Sequence, residues 1–513
     1  MKFSIVIPCY KSKISIVGCL SSIKDQDYKD YEIICVFDGE DKQSQLVAKS
    51  MGARVEVIPH GGVQKARNHG LKLAQGEFTI FCDCDVYWDA GAFRAHKDKL
   101  EESNADFSYS GYRWDDGQMA HIPPEFDPYL LKVCNYIDSS NPVRTELARK
   151  INGWDEKINR FQDWDFFLRI VKSGGVGVKL MEDAVFSTNR SGPENISGKY
   201  DYKESYNIIL KKHNITRSDV IITSLAAKHH AIRIAKMCGW DYWVDPRMIP
   251  HEYKAVYVLG MFPESIEPHV QLLKSQKNAK MLVHWIGTDV LHMQTMIPYM
   301  NAKALRMSFD KNKVKSFVQS ESNKKEMEEL GFTVENLPLP VQSTYEQTPL
   351  PEKFTVACYD HEGIDEKWHK WLVMELVKAM PDVKFLFYGN KNAVGEINNT
   401  EWMGRKPIEE VIKKSSCLLR LTPHDGFPVA CVEFLCSGRK VITNVDEVKY
   451  AKQVKVGVVD HNTIPDIKKM AYDAIREIQK NQKMDNVSEV IKYYAALLNP
   501  ITFKKKIEEV ANA

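Results

Sequence analysis

The feature that most constrains this chain is an alternation within its first 85 residues. Four short apolar runs, "FSIVIP" (3–8), "YEIICVFDG" (31–39), "RVEVIP" (54–59) and "EFTIFCDCD" (77–85), are separated by three segments of helical period. Those segments are "SIVGCLSSIKDQ" (15–26), "KQSQLVAKSMGA" (42–53) and "VQKARNHGLKLAQG" (63–76). Near-continuous apolar runs of this length are strands buried on both faces. The βαβαβαβ order predicts a parallel sheet with right-handed crossovers. Ligands of such sheets sit beyond the carboxyl ends of the strands. Asp38-Gly39 and the pair Asp83/Asp85 fall at those ends.

Two aspartates two residues apart on an extended strand end point the same way. Left unpaired and buried they repel, and one protonates. A hard divalent cation, Mg²⁺ or Mn²⁺, removes that conflict and also accepts the oxygens of a diphosphate. The pair reads as a metal–diphosphate clamp. The competing reading is that Asp85 or Asp89 caps the following turn.

Five segments then agree with one another: "SIVIPCYKS", "EIICVFDGEDK", "GVQKARNHGLKLAQGEFTIFCDCDVYWDAGA", "NPVRTELARKINGWDEKI" and "FQDWDFFLRI". Their order and spacing resemble family 2 glycosyltransferases of the GT-A fold, over about residues 1–200. The resemblance implies inverting transfer of a sugar from a nucleotide-sugar donor. It implies that Pro8, Tyr10 and Asp38 hold the nucleotide base, that Arg67 and Asn68 face the nucleotide, and that Asp83 and Asp85 form the metal–diphosphate motif. Asp163 matches the catalytic base.

The chemistry of the last segment agrees. An inverting transfer needs one carboxylate to deprotonate the acceptor hydroxyl. Trp164, Phe166, Phe167 and Leu168 surround Asp163 with apolar bulk, which raises the basicity of a carboxylate. Helix capping by Asp163 or Asp165 is the plainer alternative. The chain departs from the family at three points. Gln162 replaces the usual Glu before Asp163. No His lies in "FSTNRSGPENIS" (186–197) to complete a metal site, only Asn189 and Arg190. Phe37 stands where the first Asp of Asp-Asp-Gly is usual.

Polar, Gly-containing sequence at 190–217 marks a boundary. A second α/β series follows, with strands expected at 220–225, 254–260, 280–287 and 316–321. After "LPLPV" (337–341) and a linker at 344–353, a third series has strands at 354–360, 384–390, 417–423 and 440–445, and a helical tail from about 464. The expected division is 1–215, 216–345 and 346–513. The expected fold class is α/β: a GT-A Rossmann-like domain followed by a GT-B-like pair of Rossmann-like domains.

The stretch "RLTPHDGFPVACVEFLCSGRKVITN" (420–444) places Asp425 and Glu433 eight positions apart, two turns if both were helical. It resembles the sugar-nucleotide motif of family 4 glycosyltransferases of the GT-B fold, as "WIGTDVL" (285–291) resembles their first half. The resemblance implies that Asp425 and Glu433 are catalytic and that Gly426 and Phe427 shape the nucleotide-sugar loop. The Arg and Lys that usually hold the diphosphate are missing from "ACYDHEGIDEKWHKW" (357–371), where Glu362 and Asp365 would repel one and Lys367 or Lys370 would have to substitute. Arg405 fits a loop position. Unit 346–513 is thus either part of a second, retaining transferase or of a degenerate module that holds acceptor.

Composition narrows the setting. Lys and Arg number 70 and Asp and Glu 68, so nothing in the charge balance argues for nucleic acid or an anionic membrane. The 11 cysteines have no paired Cys-x-x-Cys spacing and sit in apolar runs, the pattern of buried free thiols in a reducing compartment. No run of about 20 apolar residues appears. The expectation is a cytoplasmic, two-site glycosyltransferase using Mn²⁺ or Mg²⁺. It takes a UDP- or GDP-sugar and a glycan, lipid-linked or other hydroxyl acceptor. The alternative is a single GT-A transferase with a GT-B-like acceptor-binding domain.

Overall fold

The computed structural model describes residues 2–11, 15–115, 120–181, 185–189, 199–224, 227–243, 253–261, 276, 278–295, 299–341, 346–360, 369–389, 397–404, 406–422, 427–455 and 464–512. The chain divides into two compact units, Met1–Arg217 and Ser218–Ala513. Arg190, Glu362, Asp365, Lys367, Arg405, Asp425 and Gly426 lie outside the described residues.

In the first unit the described strands are β1 (Phe3–Cys9), β2 (Tyr31–Asp38), β3 (Arg54–Ile58), β4 (Phe78–Phe81), β5 (Val86–Trp88), β6 (Phe107–Tyr109), β7 (Gly111–Trp114), β8 (Pro142–Arg144), β9 (Gly177–Lys179) and β10 (Val185–Asn189). The large sheet has the order β3-β2-β1-β4-β8-β6-β9, and a small one has β5-β10-β7. Strand β8 runs antiparallel to β4 and β6, while β1 to β4 form the expected parallel core. All seven residues of β1 are buried, as a strand covered on both faces requires. The helix Val63–Leu73 lies directly on this strand. A Cβ on Gly70 would stand 2.3 Å from Val6 Cγ1, so only glycine allows this approach.

One expectation fails here. Strand β4 does not run on through Asp85 but ends at Phe81. The Val86 N–H donates to the Asp83 carbonyl at 3.0 Å, closing a turn, and the chain resumes as β5 in the small sheet. The chain changes sheets between Phe81 and Val86, so the strand alternation that would have put Asp83 and Asp85 on one face does not operate.

The second unit contains two parallel sheets. One comprises β11 (Val220–Thr223), β12 (Asp241–Trp243), β13 (Ala255–Leu259), β14 (Lys280–Trp285), β15 (Lys315–Val318) and β16 (Val334–Asn336), in the order β12-β11-β13-β14-β15-β16. The other comprises β17 (Thr355–Asp360), β18 (Lys384–Gly389), β19 (Thr400–Trp402), β20 (Cys417–Arg420), β21 (Lys440–Thr443) and β22 (Lys452–Gln453), in the order β19-β18-β17-β20-β21-β22. Both have the Rossmann-like pattern in which the order reverses beside the first strand. The helix Pro500–Asn512 returns to the first of these sheets: Phe503 is buried within 6.1 Å of Trp240 and 6.0 Å of Tyr257, ring to ring. The fold class is α/β, with a Rossmann-like parallel core in the first unit's mixed sheet and Rossmann-like parallel sheets in the second. No described helix is long and apolar enough to cross a membrane.

Candidate active site

At the carboxyl end of β2, Asp38 is buried and its carboxylate closes a loop. It accepts from the backbone N–H groups of Gly61 (2.6 Å) and Gly62 (2.9 Å), and His60 Nδ1 lies 2.9 Å from its second oxygen. Tyr10, half exposed at the end of β1, stacks on the His60 ring at 4.7 Å and 19°. Pro8 is buried beneath them in β1. This forms an exposed aromatic shelf at the sheet edge, with Asp38 as its fastening. His60 was not singled out from sequence, although "PHGG" places an aromatic ring just before a helix N-terminus.

Arg67 is the hub. It projects from the Val63–Leu73 helix and is buried. Its Nη2 donates to Asp83 Oδ1 at 2.6 Å and to Ser139 Oγ at 3.4 Å, and its Nη1 donates to Gln162 Oε1 at 3.0 Å. The guanidinium lies 4.4 Å above the Trp154 ring. Gln162 therefore gives Arg67 a neutral acceptor where the family has a carboxylate. A Glu there would add a negative charge to a site that already holds several. Asn68, one residue on, is committed elsewhere. Its amide exchanges hydrogen bonds with the backbone of Trp154 at 2.7 and 2.9 Å, fixing the loop at Gly153. Gly153 has φ +65°, and a Cβ there would meet Asn68 Oδ1 at 2.3 Å.

The helix Gln162–Lys172 begins abruptly. Phe161, at its N-cap, is left-handed (φ 62°, ψ 34°), a strained backbone for an aromatic residue. Its ring is held between Trp164 (5.7 Å) and Tyr202 (5.2 Å). Trp164 anchors the first turn by donating from Nε1 to Leu131 O at 2.6 Å. Asp163, in that turn, accepts from the Trp164 N–H at 2.9 Å and from the Asn135 side chain. Burial pushes the Asp163 carboxyl up, and the bonds from Asn135 and Trp164 and the field of Arg67 offset this only in part.

Asp165 differs completely. It receives His213 Nε2 at 2.8 Å, Arg169 Nη2 at 2.9 Å and the Lys212 ammonium. Burial alone would raise it, but these partners hold its carboxyl down at about 2. Asp165 docks the helix Tyr202–His213, and it is too weak a base to take an acceptor proton.

Three residues here carried no sequence signal. Asp138 precedes β8. It accepts from the Ser140 N–H at 2.6 Å, and burial and the nearby charges of Asp163 and Asp83 push its carboxyl up to about 7. Asn135 and Tyr112 complete the surroundings of Asp163, the Tyr112 hydroxyl lying in the field of both Asp138 and Asp163. They come from irregular segments and from the small sheet, where no periodicity marks them.

A divalent cation here would have few protein ligands. Among the described residues no group of three or more His, Cys, Asp or Glu is placed to hold a metal by itself. Mg²⁺ is commonly bound by one or two carboxylates with substrate phosphates and waters supplying the rest. Asp83, with one oxygen on Arg67, and Asp85 in the same turn fit that role.

In the second unit the helix Val429–Cys436 starts after the position of Asp425, which lies outside the described residues. Phe427 is buried against Tyr494 at 6.5 Å. Glu433 is buried and ion-paired to Arg233 of the helix Lys228–Cys238, which belongs to the other sheet's half. Trp88 and His284 are core residues. Trp88 donates from Nε1 to Cys82 Sγ (3.3 Å), and His284 bonds Tyr257.

Comparison with known proteins decides the class of the first unit. Residues 4–153 match the glycosyl transferase family 2 model. The first unit carries a family 2 glycosyltransferase domain. The matched stretch includes Asp38, Arg67 and the Asp83/Asp85 turn, and it ends before Asp163. The chain is 32% identical over 231 residues to the uncharacterized glycosyltransferase EpsJ of Bacillus subtilis (strain 168), covering 41% of this chain and 66% of EpsJ. It is 32% identical over 321 residues to the poly(ribitol-phosphate) beta-N-acetylglucosaminyltransferase TarS of Staphylococcus aureus (strain Mu50 / ATCC 700699), covering 58% of this chain and 55% of TarS. A crystal structure of S. aureus TarS 1–349 in complex with UDP-GlcNAc aligns with 42% of this chain and 66% of that one, at 22% identity and TM-score 0.37. The chain thus spans just over half to about two thirds of these relatives.

Proposed function

We propose that the first unit transfers a sugar from a nucleotide-sugar donor to a hydroxyl acceptor with inversion, using Asp163 as the general base. The observation that carries this is the contrast within one helix turn. Asp163 is partly buried and its carboxyl is raised, whereas Asp165 is fully buried yet held down by Arg169, Lys212 and a hydrogen bond with His213. In the reaction the acceptor O–H gives its proton to Asp163. The oxygen forms a bond to the anomeric carbon from the face opposite the leaving group, the carbon–oxygen bond to the diphosphate breaks, and the nucleoside diphosphate departs. Asn135 and the Trp164 N–H hold the carboxylate in place for that transfer. Arg67 orients Asp83 and balances its charge. The Tyr10–His60 shelf supports the nucleotide base, with Asp38 fixing the loop. Asp83 and Asp85 would hold Mg²⁺ or Mn²⁺, which when bound offsets the charge developing on the diphosphate. Relatives named for N-acetylglucosaminyl transfer and for UDP-glucose favour a UDP-sugar donor and a glycan or lipid-linked acceptor. Eleven free thiols, ten of them buried, favour a reducing, cytoplasmic setting.

For the second unit, a retaining GT-B-like transferase built on Asp425 and Glu433 is one reading. The Arg233–Glu433 ion pair favours the other, a Rossmann-like module without donor chemistry that holds acceptor. The test is turnover of a panel of UDP- and GDP-sugars with Mg²⁺ or Mn²⁺, by wild type and Asp85→Ala. We expect turnover of one donor, lost in Asp85→Ala. A donor consumed equally by both proteins would place the chemistry outside the first unit.

A further inference from the structure

Beside Asp163 stands an aromatic wall that none of the motifs accounts for. Tyr112 and Trp114 are two residues apart on β7 and so share a face. Their rings meet edge to face at 5.6 Å and 86°. His121 comes back alongside: its N–H donates to Tyr112 O at 2.8 Å, and the Tyr112 N–H to His121 O at 3.1 Å. Its ring lies 5.0 Å from that of Tyr112 at 36°. Burial lowers the His121 pKa, so near neutral pH it adds an aromatic surface and no charge. All three side chains are partly exposed. Arg113, between Tyr112 and Trp114, is turned to other work, pairing with Asp89 and donating from Nε to Thr188 Oγ1 at 2.9 Å.

Among the described residues the wall carries no cation of its own. It adjoins a site holding Asp83, Asp138 and Asp163 against one buried guanidinium, Arg67. A phosphate laid on Tyr112 would face the Asp138 and Asp163 carboxyls, without the cation that the donor's diphosphate would have at Asp83 and Asp85. A neutral sugar ring suits both halves of the surface: its C–H face lies on aromatic carbon, whose π-cloud is negative, and its hydroxyls donate to carboxylates.

We propose that Tyr112, Trp114 and His121 form the acceptor platform, and that it takes an uncharged pyranose whose hydroxyl is presented to Asp163. The assignment of the hydroxyl rests on Asp163 being the base; the platform itself does not. A backbone of alditol phosphates, acyclic and anionic, does not fit this subsite.

The test is saturation-transfer NMR on the full chain with Mg²⁺ and UDP. The probes are methyl β-D-glucopyranoside, methyl N-acetyl-β-D-glucosaminide, ribitol and ribitol 5-phosphate. The expected result is saturation of the pyranosides' ring protons and none of ribitol or its phosphate. Trp114→Ala should cut the pyranoside signal at least fivefold and leave the UDP signal unchanged. Tyr112→Phe, which keeps the ring, should retain the pyranoside signal and serves where Trp114→Ala folds poorly, with Trp114→Phe beside it. Equal saturation of ribitol, or pyranoside signal undiminished in Trp114→Ala, overturns the platform. If UDP gives no signal in the wild type while the pyranosides do, the donor reading fails and the platform stands.

Discussion

Asp163 in the first unit is a partly buried carboxylate and Glu433 in the second a buried one, and their surroundings could hardly differ more. Asp163 receives an amide, a backbone N–H and the field of a guanidinium whose hydrogen bonds go elsewhere. Glu433 is paired directly with Arg233. Burial without a dedicated cation raises proton affinity, whereas an ion pair lowers it. The first arrangement suits the proposed base, and the second joins two halves of a unit through an ion pair. Position near the edge of a Rossmann-like sheet is therefore a poor guide to which carboxylate does chemistry. The identity of its hydrogen-bond donors is a better one.

The sharpest way to break this contrast is to neutralise each carboxylate in turn. Asp163→Asn should reduce sugar transfer about 10²–10⁴-fold, the span of general-base contributions, with donor affinity nearly unchanged. Glu433→Gln should leave transfer within about twofold. Initial rates with a saturating donor decide it, and equal losses in both variants would restore a second catalytic centre. Next in size is the ion pair itself. Arg233→Met takes the Arg233 partner from the Glu433 carboxylate and should destabilise the second unit by about 3 kcal/mol, near the low end for a buried pair because Arg233 remains 31% exposed. Pairing it with Glu433→Gln should recover most of the loss in urea unfolding.

A smaller effect separates the two aspartates on one helix. Asp165 titrates at about 2, against about 3.9 in an unfolded chain. Its contribution, about 2.6 kcal/mol, is therefore complete above pH about 4 and is lost as the pH falls toward 2. Asp165→Asn should lower stability by that amount at neutral pH and progressively less below pH 4. An unfolding midpoint measured across that range checks it. A constant deficit at every pH would mean that packing is at fault, not charge.

The central strands were legible because both faces are covered: "FSIVIP" and "YEIICVFD" are apolar throughout, and they became β1 and β2. The edge strands β12, β16, β19 and β22 were not foreseen. They have two or three residues each, too few to show a period. Around the candidate site, Arg67, Asp83 and Asp163 were visible as parts of ordered motifs, and the fold brings them within one network. Asn135, Asp138 and Tyr112 were invisible for a topological reason. They reach the site through the antiparallel insertion of β8 and through a separate small sheet, neither of which leaves a periodic trace. The Asp83/Asp85 turn was misread as strand because four apolar residues before it set up an alternation that the change of sheet then cancels.

The return of the helix Pro500–Asn512 to the first sheet of the second unit has a consequence on the ribosome. Trp240, Tyr257 and His284 emerge long before Phe503, the side chain that covers them. At about 5–20 residues per second, that surface waits on the order of ten seconds or more for its cover. The first unit, whose strands all lie within the first 189 residues, can close its core while the rest is still being made. The nascent chain thus carries a finished domain ahead of an unfinished one, and that is the interval in which this protein most needs a chaperone.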